Sequence, residues 1–352
     1  MDWNHVEQDL PSAVPPRPLP YPLTFRLPAG SIDCHLHLFG DSVRYPLSED
    51  RTYNPAEFGL KDALEMHQAM GTSHGVFIQP SVYGYDNRLL CDSLVACRER
   101  GLDYRGIAVV SPDISDEELE RLSALGVCGV RLNLIFSGGL RWRDVVVLAD
   151  RLVRFKWHLE CLIDVSTFRD MEARLGSLPV PVVIDHMGHL AATRGPDCTG
   201  FAALCRMLKQ GRTWVKLSAP YRLTTRGRLP YSDVTALARA LVNANPERVI
   251  WGSDWPHPYI GIEMPEEDML AELMQHWLPE REVREKIFRD NPRKLYGYPA
   301  FVKSKATQRT ESRSKNPRDP LAMMPVGLLG SIYASMHLTG CLDDSVGCYT
   351  TL

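Results

Sequence analysis

The stretch S-I-D-C-H-L-H-L-F-G, residues 31–40, begins as an apolar, β-branched run and closes on two histidines one residue apart. Side chains alternate along a strand, so His35 and His37 are expected on one face, with Cys34 and Leu36 on the other. Two imidazoles aimed together from a strand end raise the question of what the other strands carry at theirs.

Seven further runs have the same character: H-G-V-F-I-Q-P-S (74–81), R-G-I-A-V-V-S-P (105–112), V-C-G-V-R-L-N-L (127–134), H-L-E-C-L-I-D (158–164), V-P-V-V-I-D-H-M-G (180–188), T-W-V-K-L-S-A-P (213–220) and R-V-I-W-G-S-D-W-P (248–256). Each is largely apolar and ends in polar residues, as expected of parallel strands buried on both faces. Helix punctuation separates them. Asn54-Pro55 opens a segment closed by Gly71, and Asp86 opens one closed by Gly101. Ser115 with Glu118 reads as a capping box before a segment closed by Gly126. Residues 234–244 and 265–278 repeat apolar positions at helical spacing. This rhythm over residues 30–300 predicts an α/β fold, a (β/α)8 TIM barrel. An open doubly wound sheet is the weaker reading, because the first strand-to-helix turn has no G-x-G-x-x-G and polar residues end every strand.

Outside the barrel, residues 1–29 are proline-rich and read as an extended lead-in over the surface. Residues 301–352 read as a disordered appendage: a basic, polar linker (301–320), then an apolar stretch interrupted by Pro325, Ser331, Ser335 and His337, which makes a poor membrane span. The composition is that of an ordinary soluble protein, 44% hydrophobic and 24% charged with net charge −3, and gives no reason to expect nucleic acid or a membrane as partner. The nine cysteines form no C-x-x-C pair, and no signal peptide opens the chain, so reduced thiols and a cytoplasmic location are expected. Oligomeric state is not legible.

A barrel of this kind works at the C-terminal ends of its strands. Those ends carry His35 and His37; Gln79 and Ser81; Ser111; Arg131 and Asn133; Asp164; Asp185 and His186; Lys216 and Ser218; Ser253 and Asp254. His35, His37, His186 and Asp254 form the candidate centre. Asp185, next to His186, is expected on the opposite face, pairing outside the mouth. Lys216 is expected to pair with a rim carboxylate or to touch substrate. His158 starts its strand and is expected at the wrong end of the barrel.

The blocks D-C-H-L-H, V-I-D-H-M-G-H and I-W-G-S-D-W-P-H-P resemble the amidohydrolase superfamily. F-I-Q-P-S-V-Y-G-Y-D-N, G-V-R-L-N-L and V-K-L-S-A-P-Y-R-L-T narrow the similarity to its amidohydrolase-2 branch, which includes pyrone-dicarboxylate and sugar-acid lactonases. The resemblance covers residues 30–300 and implies a hydrolase opening the lactone of a small oxygenated carboxylic acid. Asp254 would be the general base, and His35, His37 and His186 would donate to the carbonyl oxygen. It also implies that Arg131 and Arg222 hold a substrate carboxylate, with Tyr53 beside the substrate. Ser81 and Asn133 complete the binding set. One departure is visible: the family's second arginine after strand four is absent, and I-F-S-G-G-L puts Ser137 near its place, so a substrate with one carboxylate is expected.

Metal-dependent relatives add a ligand from strand four or a histidine from the end of strand five. Here strand four ends in Arg131 and Asn133, so no cofactor is expected. The alternative is Zn²⁺ or Mn²⁺ on His35, His37, His186 and Asp254, in a decarboxylase or amidohydrolase of the same branch. A more distant reading is a barrel that binds a small acid without turnover.

Overall fold

The computed structural model describes residues 10–18, 25, 27–72, 74–137 and 139–301. The disordered appendage expected over 301–352 therefore falls, but for Phe301, outside the described residues, as does much of the lead-in. Eight strands form one parallel sheet in sequence order: β1 (Asp33–Leu36), β2 (Gly75–Ile78), β3 (Tyr104–Ala108), β4 (Val127–Asn133), β5 (His158–Leu162), β6 (Val182–Ile184), β7 (Thr213–Leu217) and β8 (Val249–Trp251). Seven lie within runs read from the sequence, and β3 begins one residue before its run, at Tyr104. Helices α1 (Leu60–Met70), α2 (Arg88–Glu99), α3 (Asp116–Leu125), α4 (Trp142–Arg154), α5 (Met171–Gly176), α6 (Thr199–Gln210), α7 (Thr235–Ala244) and α8 (Glu267–Trp277) follow the strands in turn. This is the (β/α)8 barrel. Among the described residues no helix is long and apolar enough to cross a membrane.

The sheet closes through the segment that follows β8. His37 N–H donates to Trp255 O at 2.8 Å and Asp254 N–H to His35 O at 2.8 Å. Gly252 permits this approach, because a Cβ there would lie 2.5 Å from His35 Cβ. Asp33 locks the seam from outside the barrel. Its Oδ1 accepts from His35 N and Ser253 N, both at 3.0 Å, and its Oδ2 from Ser253 Oγ at 2.5 Å.

Two packing layers result. Ile32, Cys34, Val76, Ile78, Ile107, Val183, Trp214 and Ile250 meet in one small cluster with Tyr296 and Tyr298, while Leu36, Phe77 and Val215 join the larger core that includes the helices. Cys34 therefore packs with the inner set, contrary to strict alternation. The β1–β2 register slips between Asp33 and Leu36, and this bulge gives β1 an extra residue there.

Ser115 Oγ accepts Glu118 N–H at the start of α3, and Gly126 ends the helix at φ 108°. The start expected at Asn54 is displaced to Leu60. Asn54 is taken up by backbone bonds to Pro11 and Ala13 of the lead-in, and Phe58 pairs with Phe39, so neither segment is free to coil.

Candidate active site

β1, the turn after β6 and the turn after β8 bring four side chains together at the barrel mouth. Asp254 Oδ1 lies 3.4 Å from His35 Nε2, 3.4 Å from His37 Nε2 and 3.7 Å from His186 Nε2. His35 Nε2 and His37 Nε2 are 3.3 Å apart. Asp254 and His186 reach this point from left-handed backbone, φ 61° and 49°, a conformation that Asp and His adopt more readily than most residues.

The two oxygens of Asp254 are treated differently. Oδ2 accepts from Tyr221 OH at 2.5 Å and from Arg222 Nε at 3.1 Å, and a terminal guanidinium nitrogen of Arg222 lies 3.0 Å away as an ion pair. Oδ1 is buried and has no hydrogen-bond partner among the described residues. Burial works against the carboxylate, but the Arg222 guanidinium beside it counters burial, and its pKa lies well below the usual range. Tyr221 is itself held by His257, whose Nδ1 is 3.0 Å from its hydroxyl and whose Nε2 is 2.8 Å from Glu267 Oε2. A buried chain thus spends one face of Asp254 and leaves the other unsatisfied, toward the histidines.

Burial pushes all three imidazoles below the ordinary histidine pKa, His186 to about 3, so they are neutral at pH 7. His37 Nδ1 faces Ile78 O at 2.8 Å. A carbonyl only accepts, so His37 carries its proton on Nδ1 and presents a lone pair at Nε2. The expectation that His35, His37 and His186 all donate to the carbonyl oxygen is corrected at His37, whose Nε2 can only accept. His186 Nδ1 bonds Ser218 Oγ at 2.8 Å, which can act as donor or acceptor.

A narrow cleft enclosing about 310 Å³, mouth included, is lined by His37, Tyr53, Ser81, Arg131, Asn133, His186, Arg222 and Asp254, with Phe136, Leu162, Pro80 and Pro258 as apolar wall. His35 is fully buried and does not line it. Arg131 donates to Gln79 O at 3.0 Å, and its Nε is buried without a partner. Tyr53 stacks on Tyr259, the ring centres 5.2 Å apart and nearly parallel. Asn133 Oδ1 is spent on the backbone N–H groups of Ile135 and Phe136.

Other strand-end polar residues do not meet at the centre. Ser111 and Asp164 accept backbone N–H groups of their own turns, and Gln79 Nε2 donates to Asp86 O. Asp185 is the opposite case and a correction. It is fully buried inside the barrel, 3.3 Å from His35 Nδ1 and 3.3 Å from Lys216 Nζ. Alternation fails because β6 ends at Ile184 and His186 turns into left-handed backbone, so both side chains face inward. Lys216 pairs not at the rim but with Glu160 of β5, at 2.5 Å. Glu160 and Lys216 had a sequence signal, a carboxylate and an ammonium inside otherwise apolar strands. Tyr221 and the His257–Glu267 pair had none beyond closeness to Arg222 and Asp254. His158 packs against Tyr296, a member of the small inner cluster, with the ring centres 5.4 Å apart, away from the cleft.

A tetrahedral divalent cation with bonds of about 2.0–2.1 Å spaces its donors roughly 3.3–3.4 Å apart. Asp254 Oδ1, an orphaned carboxylate oxygen, lies 3.4–3.7 Å from the three imidazole nitrogens, two of which are 3.3 Å apart, and the spacing around it suits such an ion. The proton on His35, considered below, bears on whether they can bind one.

Comparison with known proteins agrees with the fold. The amidohydrolase family model matches residues 32–298. A 2-pyrone-4,6-dicarboxylate hydrolase of Comamonas testosteroni is 33% identical over 77% of this chain and 92% of its own length. A 4-sulfomuconolactone hydrolase of Hydrogenophaga intermedia is 34% identical over 78% and 91%. A solved structure from Pseudomonas putida, assigned as a 2-pyrone-4,6-dicarboxylic acid hydrolase, is 31% identical, superposes with a TM-score of 0.67 and is matched over 78% of this chain and 100% of its own. This barrel, with its paired histidines at the end of β1 and its aspartate after β8, belongs to the amidohydrolase family.

Proposed function

We propose that the protein is a hydrolase that opens the lactone of a small carboxylic acid, with Asp254 as general base. The observation that carries this reading is the division of Asp254: Oδ2 is saturated by Tyr221 and Arg222, and Oδ1 is left unpartnered beside the cleft. Names of the relatives above point to the same bond. Oδ1 orients a water and takes its proton as it attacks the lactone carbonyl. His186, when Ser218 donates to its Nδ1, offers an Nε2–H to the carbonyl oxygen and stabilises the oxyanion. The proton held by Asp254 then passes to the leaving alkoxide.

Arg131 and Arg222 make the cleft positive and bind the carboxylate, beside Tyr53, Ser81 and Asn133. Arg222 already serves Asp254 and Pro258 O, which supports an acid with one carboxylate rather than two. If a divalent cation is used, His35, His37, His186 and Asp254 would hold it, and it would polarise the carbonyl and acidify water. We favour the metal-independent course and a cytoplasmic enzyme; the described cysteines are all free thiols.

The test follows acid release from pyrone, muconate and sugar-acid lactones by chelator-treated wild type and Asp254→Asn. Turnover that survives chelation and falls by about 10²–10⁴ in the variant is the expected result, the range for a general base. Turnover abolished by chelation and restored by Zn²⁺ or Mn²⁺ would replace the metal-independent course. Silence on every lactone would remove the hydrolase reading.

A further inference from the structure

Beneath the cleft lies a buried group of charges that the mechanism above does not use. Lys216 Nζ, wholly enclosed, lies 2.5 Å from Glu160 Oε2, 3.1 Å from His35 Nδ1 and 3.3 Å from Asp185 Oδ1. Glu160 Oε2 and His35 Nδ1 thus accept from the ammonium, and Asp185 lies beside it as a second counter-charge. Burial opposes its charge, but Glu160 and Asp185 outweigh burial and raise its pKa above the ordinary lysine value. An ammonium donates only, so His35 Nδ1 accepts, and a neutral imidazole accepting there carries its proton on Nε2. Asp185 Oδ1 is also 3.3 Å from Nδ1, but neither Asp185 oxygen has a hydrogen-bond partner.

A second observation reaches the same assignment independently. His37 holds its proton on Nδ1, facing Ile78 O, so its Nε2 accepts. The 3.3 Å contact between the two Nε2 atoms is then a hydrogen bond only if His35 supplies the proton. Direction is therefore consistent along the whole row: Lys216 to His35, His35 to His37, His37 to the Ile78 carbonyl.

We propose that Lys216, held by Glu160, is a positioning residue that fixes His35 in its Nε2–H form. In that form His35 donates into the His37–Asp254 pair and has no Nε2 lone pair for a cation. A cation at the cluster would require the proton to move to Nδ1, against the ammonium, with Asp185 Oδ1 as its new acceptor. Lys216 thereby selects between a hydrogen-bonding and a metal-binding cluster. The catalytic consequence rests on the hydrolase reading; the tautomer does not.

The direct test is long-range ¹H–¹⁵N NMR of metal-stripped wild type carrying ¹⁵N-histidine, with His35→Gln to assign the resonance. A protonated Nε2 and bare Nδ1 on His35 are expected; the reverse pattern overturns the proposal. The second test uses Lys216→Met with Glu160→Gln, so that the Glu160 carboxylate is not stranded. Zn²⁺ affinity, measured by competition with a chromogenic chelator, should rise at least about tenfold over wild type, equivalent to 1.4 kcal/mol. Unchanged affinity in a folded variant overturns the role of Lys216 as selector. If the variant does not fold, the wild-type spectrum still decides. A wild type that opens no lactone but shows the Nε2–H form sustains this proposal while removing the hydrolase reading.

Discussion

At the residue scale, the chemistry depends on which atoms are already spent. Asp254 Oδ2, His37 Nδ1 and Arg222 are committed to neighbours, and Asp254 Oδ1 and Arg131 Nε are not. Arg131→Met should accordingly raise KM for a carboxylate-bearing lactone about 10- to 100-fold, the value of a charge-assisted hydrogen bond, with a smaller change in kcat. Equal loss in kcat and kcat/KM would instead place the guanidinium on the transition state. The four central residues were legible because each is a reactive type at the end of an apolar run. Asp185 was misplaced, since alternation presumes a strand, and the strand had already ended at Ile184. Tyr221 was missed because a tyrosine beside an arginine carries no signal until its hydroxyl is found 2.5 Å from the aspartate.

At the scale of elements, the seam between β1 and the turn after β8 positions the base. Asp33 serves His35 N, Ser253 N, Ser253 Oγ and His67 Nε2, and Trp255 N–H donates in turn to Ser253 Oγ. Asp33→Ala would leave buried N–H groups unpaired, each costing about 1–3 kcal/mol. Urea titration should show a loss of at least about 2 kcal/mol, and kcat should fall with it as the Asp254 turn loosens. Wild-type stability in this variant would mean that the seam is held by packing alone. Strands and most helices could be read from apolar runs, caps and glycines, because those signals are local. The bulge in β1 and the late start of α1 could not, since each depends on a partner far along the chain: β2 for the bulge, the lead-in for Asn54.

On the scale of the whole molecule, the barrel interior holds ionisable groups that water does not reach, and stability should depend on pH accordingly. Burial, reinforced by Lys216, lowers His158 to about 3, whereas an unfolded histidine titrates near 6.5. Between those values the unfolded chain binds the extra proton, so this contribution is complete above about pH 6.5 and is lost as pH falls toward 3. His158→Leu should flatten the acid side of the stability curve by about 1.4 kcal/mol per pH unit, measured by urea titration from pH 7 downward. A parallel curve would show that His158 is protonated in the folded barrel. What the sequence determined by itself was the barrel, its working face and the residue types gathered there, because periodicity, capping and strand-end polarity are written in neighbouring residues. Only the tertiary structure decided which of those residues meet, which oxygen of Asp254 is left unpaired, and which groups each imidazole nitrogen faces. Those properties belong to pairs such as Lys216 and His35, 181 positions apart, and no local pattern encodes a hydrogen bond across the inside of a barrel.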